Sequence, residues 1–154
     1  MAGHVLNRFD LSHYRLLVVQ AAELNEKIRL IEDELSELEK CCLNISPVIS
    51  GMPSGNIKSD KIANFVIKLE KDRDRLINIL ESYVTERSDI MYRLYKVRSA
   101  VKKIPNKQLR NVIRWYYIDG LSAIEIAKKT YLTRDAVYKK IDRFLGLTQK
   151  RKKE

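Results

Sequence analysis

Between Tyr14 and Ile45 the apolar side chains Tyr14, Leu17, Ala21, Leu24, Ile28, Ile31, Leu35, Leu38, Cys42 and Ile45 recur at alternating steps of three and four. That spacing puts all of them on one stripe of an α-helix, the a/d seam of a coiled coil, and no strand can use it. A stripe this long is not stable in water until another surface covers it. Asp10 or Ser12 is placed to accept from the unpaired N–H groups at the helix start.

The cover lies further along the chain. Ile62, Val66, Leu69, Arg73, Leu76, Leu80, Tyr83, Arg87, Ile90, Leu94, Val97, Val101 and Ile104 form a second seam, opening after Ser59 or Asp60 and closing before Pro105. At ~1.5 Å per residue the second helix is roughly 60 Å long. Pro47, Gly51, Pro53 and Gly55 mark a loop between the seams, expected over 46–59. The two helices should fold back about Met52 as an antiparallel hairpin. That reflection puts Arg73 near position 31, beside Glu32, Asp33 and Glu34, and Arg87 near position 17, with no acid closer than Glu23. Arg73 then either pairs with that cluster or snorkels, and Arg87 should snorkel. Phe65, Ile67, Ile77, Ile79, Val84, Met91, Tyr92 and Tyr95 lie off the seam and call for the C-terminal region or another subunit.

Charge separates the halves of the chain. Residues 1–60 carry 6 basic and 9 acidic side chains, 61–104 carry 11 and 6, and 105–154 carry 13 and 5, for a net +10 over 154 residues. A basic C-terminal third suits a polyanionic partner, although a merely soluble basic surface has the same count. Five glycines and three prolines are too few for a β-sandwich. No apolar run approaches the ~20 residues of a membrane span. Met1-Ala2-Gly3-His4 opens no signal-peptide core, and Cys41 and Cys42 are adjacent, which is poor geometry for a mutual disulfide. A reduced, cytoplasmic protein is expected, with the cysteines packed as small apolar groups. His4 and His13 lie too far off to complete a metal site with them, so neither metal nor cofactor is expected.

After Pro105 the pattern changes to three short helices. Asn106 can cap the first, with Leu109, Val112, Ile113, Tyr116 and Tyr117 inward and Gly120 ending it. Ser122-Ala123-Ile124-Glu125 is a capping box opening the second. Tyr131-Leu132-Thr133 is a turn, and a third helix runs from Arg134 to Leu145 and stops at Gly146. Two short helices about a tight turn form a helix-turn-helix, whose second helix enters the major groove. Ala127 suits the crossing, and Ile126, Leu132, Val137, Ile141 and Leu145 the core. Ser122, Thr133, Arg134, Asp135, Tyr138, Lys139, Asp142 and Arg143 are the candidate DNA-binding residues. Arg bonds guanine bidentately, Asp accepts from cytosine N4, and Tyr and Lys suit phosphates or base edges. A plain helical pair with a solvated charged face is the alternative.

The stretch from Ile104-Pro105 to Leu145, with Asp119-Gly120-Leu121-Ser122 and Glu125-Ile126-Ala127, resembles region 4 of sigma-70 factors. With the long helices and Gly51-Met52-Pro53 added, the whole chain resembles the phage and prophage late-transcription regulators of the RinA/ArpU type. Nothing in it resembles sigma region 2, which melts the promoter, and this speaks against its initiating transcription alone. Tyr131 stands in the turn where such motifs commonly carry Gly.

The expected architecture is therefore all-α. A helical hairpin over 1–104 serves oligomerisation, a small three-helix domain resembling sigma region 4 covers 105–147, and a basic tail covers 148–154. The tail is a solvated end or adds phosphate contacts. The expected function is sequence-specific binding of double-stranded DNA by a transcriptional regulator held as a homo-oligomer by its N-terminal helices, with contact to RNA polymerase left open. A small terminase subunit that packages DNA has the same parts, and so has a coiled-coil adaptor that binds RNA polymerase. No Gly-rich phosphate loop or clustered acids in a pocket support an enzyme.

Overall fold

The computed structural model describes residues 8–49 and 56–146. Their regular structure is entirely helical: α1 (Arg8–Ile49), α2 (Asn56–Lys102), α3 (Lys107–Ile113) continued by a π-helical stretch (Arg114–Ile118), α4 (Ala123–Thr130) and α5 (Arg134–Phe144). The tail expected over 148–154 lies outside the described residues. Two compact units divide the chain: residues 21–89, and residues up to 20 together with those from 90 onward.

Both long helices overrun the boundaries expected for them. α1 starts at Arg8, so Asp10 and Ser12 lie inside the first turns, and the Ser12 hydroxyl donates to the Phe9 carbonyl at 3.1 Å. At its other end α1 runs through Pro47 to Ile49, and α2 is already helical from Asn56. The connection expected over 46–59 is shorter as a result. A proline near a helix end forfeits a single backbone hydrogen bond, which a long helix tolerates.

In the 21–89 unit, Ala21, Leu24, Ile28 and Leu76 are buried, while Ile31, Leu35, Leu38, Ile62, Val66, Leu69 and Leu80 are half-buried. Arg87 Nη1 donates to Asn25 Oδ1 at 3.1 Å, and Lys27 Nζ lies 5.6 Å from the centre of the Tyr83 ring. Arg73 lines a groove with Leu38, Glu39, Cys42, Leu43 and Leu69. Positions on α1 rise as their neighbours on α2 fall, but the neighbours lie about one heptad beyond those given by reflection about Met52. Arg73 is exposed beside Glu39 and not beside the Glu32–Glu34 cluster, and Arg87 is bonded to Asn25 instead of snorkelling. The physical reason is the repeat itself: sliding one antiparallel seam past another by seven residues again sets a opposite d, so periodicity alone leaves that choice open. Cys41 and Cys42 are exposed, contrary to the packed role expected of them: Cys41 lies off the seam, and Cys42, on it, borders an open groove with Leu38 and Leu69. Arg29 bridges Glu26 at 2.7 Å and Asp33 at 3.0 Å on the solvent face, where water and salt screen both pairs.

In the other unit the core is continuous in composition. Leu11, Tyr14 and Leu17 of α1, Ile90, Leu94, Val97 and Val101 of α2, and Ile104 beyond it are buried. So are Val112 and Ile113 of α3, Ala123 and Ile126 of α4, and Val137 and Ile141 of α5. Each large aliphatic side chain among them stabilises the fold by about 1.5–3 kcal/mol. Tyr14 buries its ring and keeps its hydroxyl satisfied by Arg98 Nε, whose guanidinium also lies 5.7 Å from the ring centre. Gly120 has φ +74°, and a Cβ there would stand 2.7 Å from Arg15 Cζ, so the start of α1 comes right up to the turn before α4.

The pairing of α1 with α2 is open to a double-mutant cycle. Arg87→Ala and Asn25→Ala should couple by about 0.5–1 kcal/mol in urea unfolding, and Arg73 with Glu32 by less than about 0.3 kcal/mol. The reverse ranking would restore the reflection about Met52.

Candidate nucleic-acid interface

Each of the last three helices is held at its ends by the residues its sequence supplies. The Asn106 side chain accepts from Leu109 N at 3.1 Å and opens α3. At α4 the capping box is complete: Glu125 N donates to the Ser122 hydroxyl at 3.3 Å, and Ser122 N donates to Glu125 Oε2 at 2.8 Å. The Ser122 hydroxyl also donates to Glu125 Oε2 at 2.8 Å. Thr133 opens α5 by accepting from Ala136 N at 3.2 Å. Gly120 and Gly146, at φ +74° and +72°, provide the left-handed turns that end the preceding helices.

Between α3 and α4 the chain does something periodicity does not show. Asp119 N donates to the Arg114 carbonyl five residues back at 3.0 Å, and Leu121 N to the Trp115 carbonyl six residues back at 2.8 Å. The turn is widened into a π-helix, and the Arg114–Asp119 ion pair at 3.6 Å spans it. Tyr116 and Tyr117 meet edge to face inside this stretch, with ring centres 4.9 Å apart.

α4 and α5 are joined by Tyr131, Leu132 and Thr133. Ile126 on one helix and Val137 and Ile141 on the other are buried, with Ala127, Leu132 and Leu145 half-buried beside them. With Val137 and Ile141 turned inward, α5 turns Arg134, Asp135, Lys139, Asp142 and Arg143 outward, and all of them are exposed. Arg134 and Asp135 form an exposed pair at 3.4 Å, too weak to withhold either from a ligand.

The remaining candidates are committed elsewhere to different degrees. Ser122 and Thr133 are exposed but use their side chains as caps. Tyr138 packs edge to face on Tyr116, with ring centres 6.3 Å apart, and remains 43% exposed, so only part of its ring is available. Sequence reasoning left Lys140 out of the set. It reaches sideways to α3, donating to Gln108 Oε1 at 3.2 Å. Its place one step past Lys139, about 100° further around the helix, is the signal that would have found it.

The electrostatics are plain. The Ser122 backbone N–H, then its hydroxyl, hold the Glu125 carboxyl below its ordinary range, with Lys128 and Lys129 adding to the effect. The capping contribution of a carboxylate shifted this way is present above its unfolded pKa and fades as pH falls through the lowered folded value. Among the described residues no three His, Cys, Asp or Glu side chains are grouped to hold a metal ion, and no helix is long and apolar enough to cross a membrane. No family model, curated protein or solved structure matches the chain.

Tyr131 is the one non-glycine residue at positive φ among the described residues, at +56°, and it is 97% exposed. A left-handed conformation costs an L-residue roughly 1–2 kcal/mol, and a glycine there loses part of that gain to its freer unfolded chain. Tyr131→Gly should therefore raise stability by about 0.5–1 kcal/mol in chemical denaturation. A lower stability would mean that the ring contributes more than its exposure implies.

Proposed function

We propose that this chain is a sequence-specific DNA-binding transcriptional regulator of the phage type. In this reading α4, its turn and α5 act as a helix-turn-helix, and α1 and α2 form an antiparallel hairpin that joins copies of the chain. The observation that carries it is the outward face of α5, where Arg134, Asp135, Lys139, Asp142 and Arg143 stand exposed opposite the buried Val137 and Ile141. Exposed side chains able to bond base edges, on a helix fixed from behind by its core and its Thr133 cap, are what direct readout needs. The net +8 of residues 105–154 supplies the sequence-independent attraction to phosphates. The resemblance to sigma region 4 and to RinA/ArpU-type regulators points the same way and adds RNA polymerase as a partner.

Self-association is supported by the apolar residues left on the long helices. Leu30, Phe65, Ile67 and Val84 in one unit, and Phe9, Leu16, Val19, Met91, Tyr92 and Tyr95 in the other, are between 39% and 67% exposed. Of the off-seam residues, only Ile77 and Ile79 are half-buried. A lone protein rarely leaves so much apolar surface in water. Light scattering at micromolar concentration should give a multiple of 18.0 kDa. A monomer at that concentration would remove the oligomer from the proposal.

The DNA reading is tested by footprinting on DNA flanking the chain's own gene, followed by Arg134→Ala on the protected site. That substitution should cost about 1–3 kcal/mol there and relax one base preference while binding of unrelated duplexes changes little. Equal weakening on every sequence would make Arg134 a phosphate contact. No protection on any duplex would end the reading.

A further inference from the structure

Beside the reading helix, a groove of about 370 Å³ opens between α3 and α4, lined by Lys107, Gln108, Asn111, Trp115, Lys129 and Thr130. Its chemistry is one-sided. Two ammonium groups, two side-chain amides and an indole N–H are donors, and no carboxylate is among the lining residues. The Thr130 hydroxyl is already given to the Ile126 carbonyl at 2.7 Å. Lys129 Nζ stands 5.5 Å from the centre of the Trp115 ring, which braces the lysine at the groove wall. A third ammonium joins from α5, because Lys140 Nζ donates to Gln108 Oε1. A donor-rich, acid-free recess with three lysines at hand suits an oxyanion, and its volume leaves room for a phosphate group with several waters at about 30 Å³ each.

Its position relative to α5 identifies the source of that phosphate. A helix lying in a major groove ~12 Å wide turns one side to the base edges and its flanks to the phosphates of the two strands. Arg134, Asp135, Lys139, Asp142 and Arg143 occupy the outward side of α5, and Lys140 occupies a flank. We infer that the groove of Lys107, Trp115 and Lys129, extended by Lys140, holds a phosphate of the DNA backbone alongside the site that α5 reads. This role presupposes that the chain binds DNA through α5, and the groove then sets register on the duplex without choosing sequence.

Trp115 is the single tryptophan of the chain, so its fluorescence reports on this groove alone. The full-length protein is titrated with a mixed-sequence duplex and, separately, with inorganic pyrophosphate. The salt dependence of duplex affinity is measured for the wild type, Lys107→Gln, Lys129→Gln, the double variant, a Lys129→Arg rescue and a Lys71→Gln control on α2. Duplex should change the Trp115 signal. The double variant should bind every duplex roughly tenfold more weakly at low salt, with a slope of log affinity against log salt shallower by about 0.9 for each phosphate it no longer neutralises. Lys129→Arg should keep the wild-type slope, and Lys71→Gln should leave it unchanged. If the wild type binds duplex and the double variant keeps its slope and Trp115 response, the groove holds no DNA phosphate, although α5 can still read DNA. If pyrophosphate alone moves Trp115 while duplex binds without doing so, the site takes free phosphate and the assignment to DNA is overturned. If no duplex binds at all, the reading of α5 fails with this one. A pyrophosphate response abolished in the double variant would then show a groove for phosphate that is not DNA's.

Discussion

Everything in this chain depends on the need to keep one apolar stripe of each long helix out of water. A helix of forty-odd residues is not held by its backbone hydrogen bonds alone, since those bonds exchange nearly evenly with water. The stripe decides. Where it is fully enclosed, as at Leu11, Tyr14 and Leu17 or at Ile90, Leu94 and Val97, relative exposure falls to 7% or less. Where only a neighbouring helix covers it, as at Leu35, Leu38, Val66 and Leu69, burial is partial. The same requirement explains why Tyr14 keeps Arg98 beside its hydroxyl: a phenol placed in the core must bring a partner for its polar end.

Much of this was legible from spacing, and what was not has physical causes. The seams were readable because a three-four alternation has one structural solution. The pairing of α1 with α2 was not readable, because the repeat that creates the seam also makes its registers degenerate by seven residues. Position 73 therefore sits among Leu38, Glu39 and Cys42 and not beside Glu32. Caps were readable at Asn106 and Ser122, since a side chain that satisfies a backbone donor two or three residues on acts locally. Tyr131 was the opposite case. Its type argues against a left-handed turn, yet the crossing of α4 and α5, fixed by Ile126, Val137 and Ile141, imposes one. Tertiary packing overrode a local preference of about 1–2 kcal/mol.

The candidate interface divides in the same way. An outward set on α5 follows from knowing which residues are inward, so Arg134, Asp135, Lys139, Asp142 and Arg143 could be named from periodicity alone. What periodicity could not give was the competition for each side chain: Tyr138 against Tyr116, Thr133 as a cap, Lys140 drawn to Gln108. The recess at Trp115 belongs to this second kind of information. Its members come from two helices and the wide turn between them, and no window along the sequence brings Lys107, Trp115 and Lys129 together.

The π-helical stretch at Arg114–Ile118 carries a consequence for how this chain can be compared with others. A wide turn accommodates one residue more than an α-helical turn, so it amounts to a single-residue insertion absorbed without a loop. Side chains before it, such as Val112 and Ile113, and those after it follow phases offset by about 100°. A related chain lacking one residue here would run as a plain α-helix and present the residues that follow on the same faces. Aligned to this one without a gap, it would match every position after Ile113 to the wrong neighbour, although the two cores were the same.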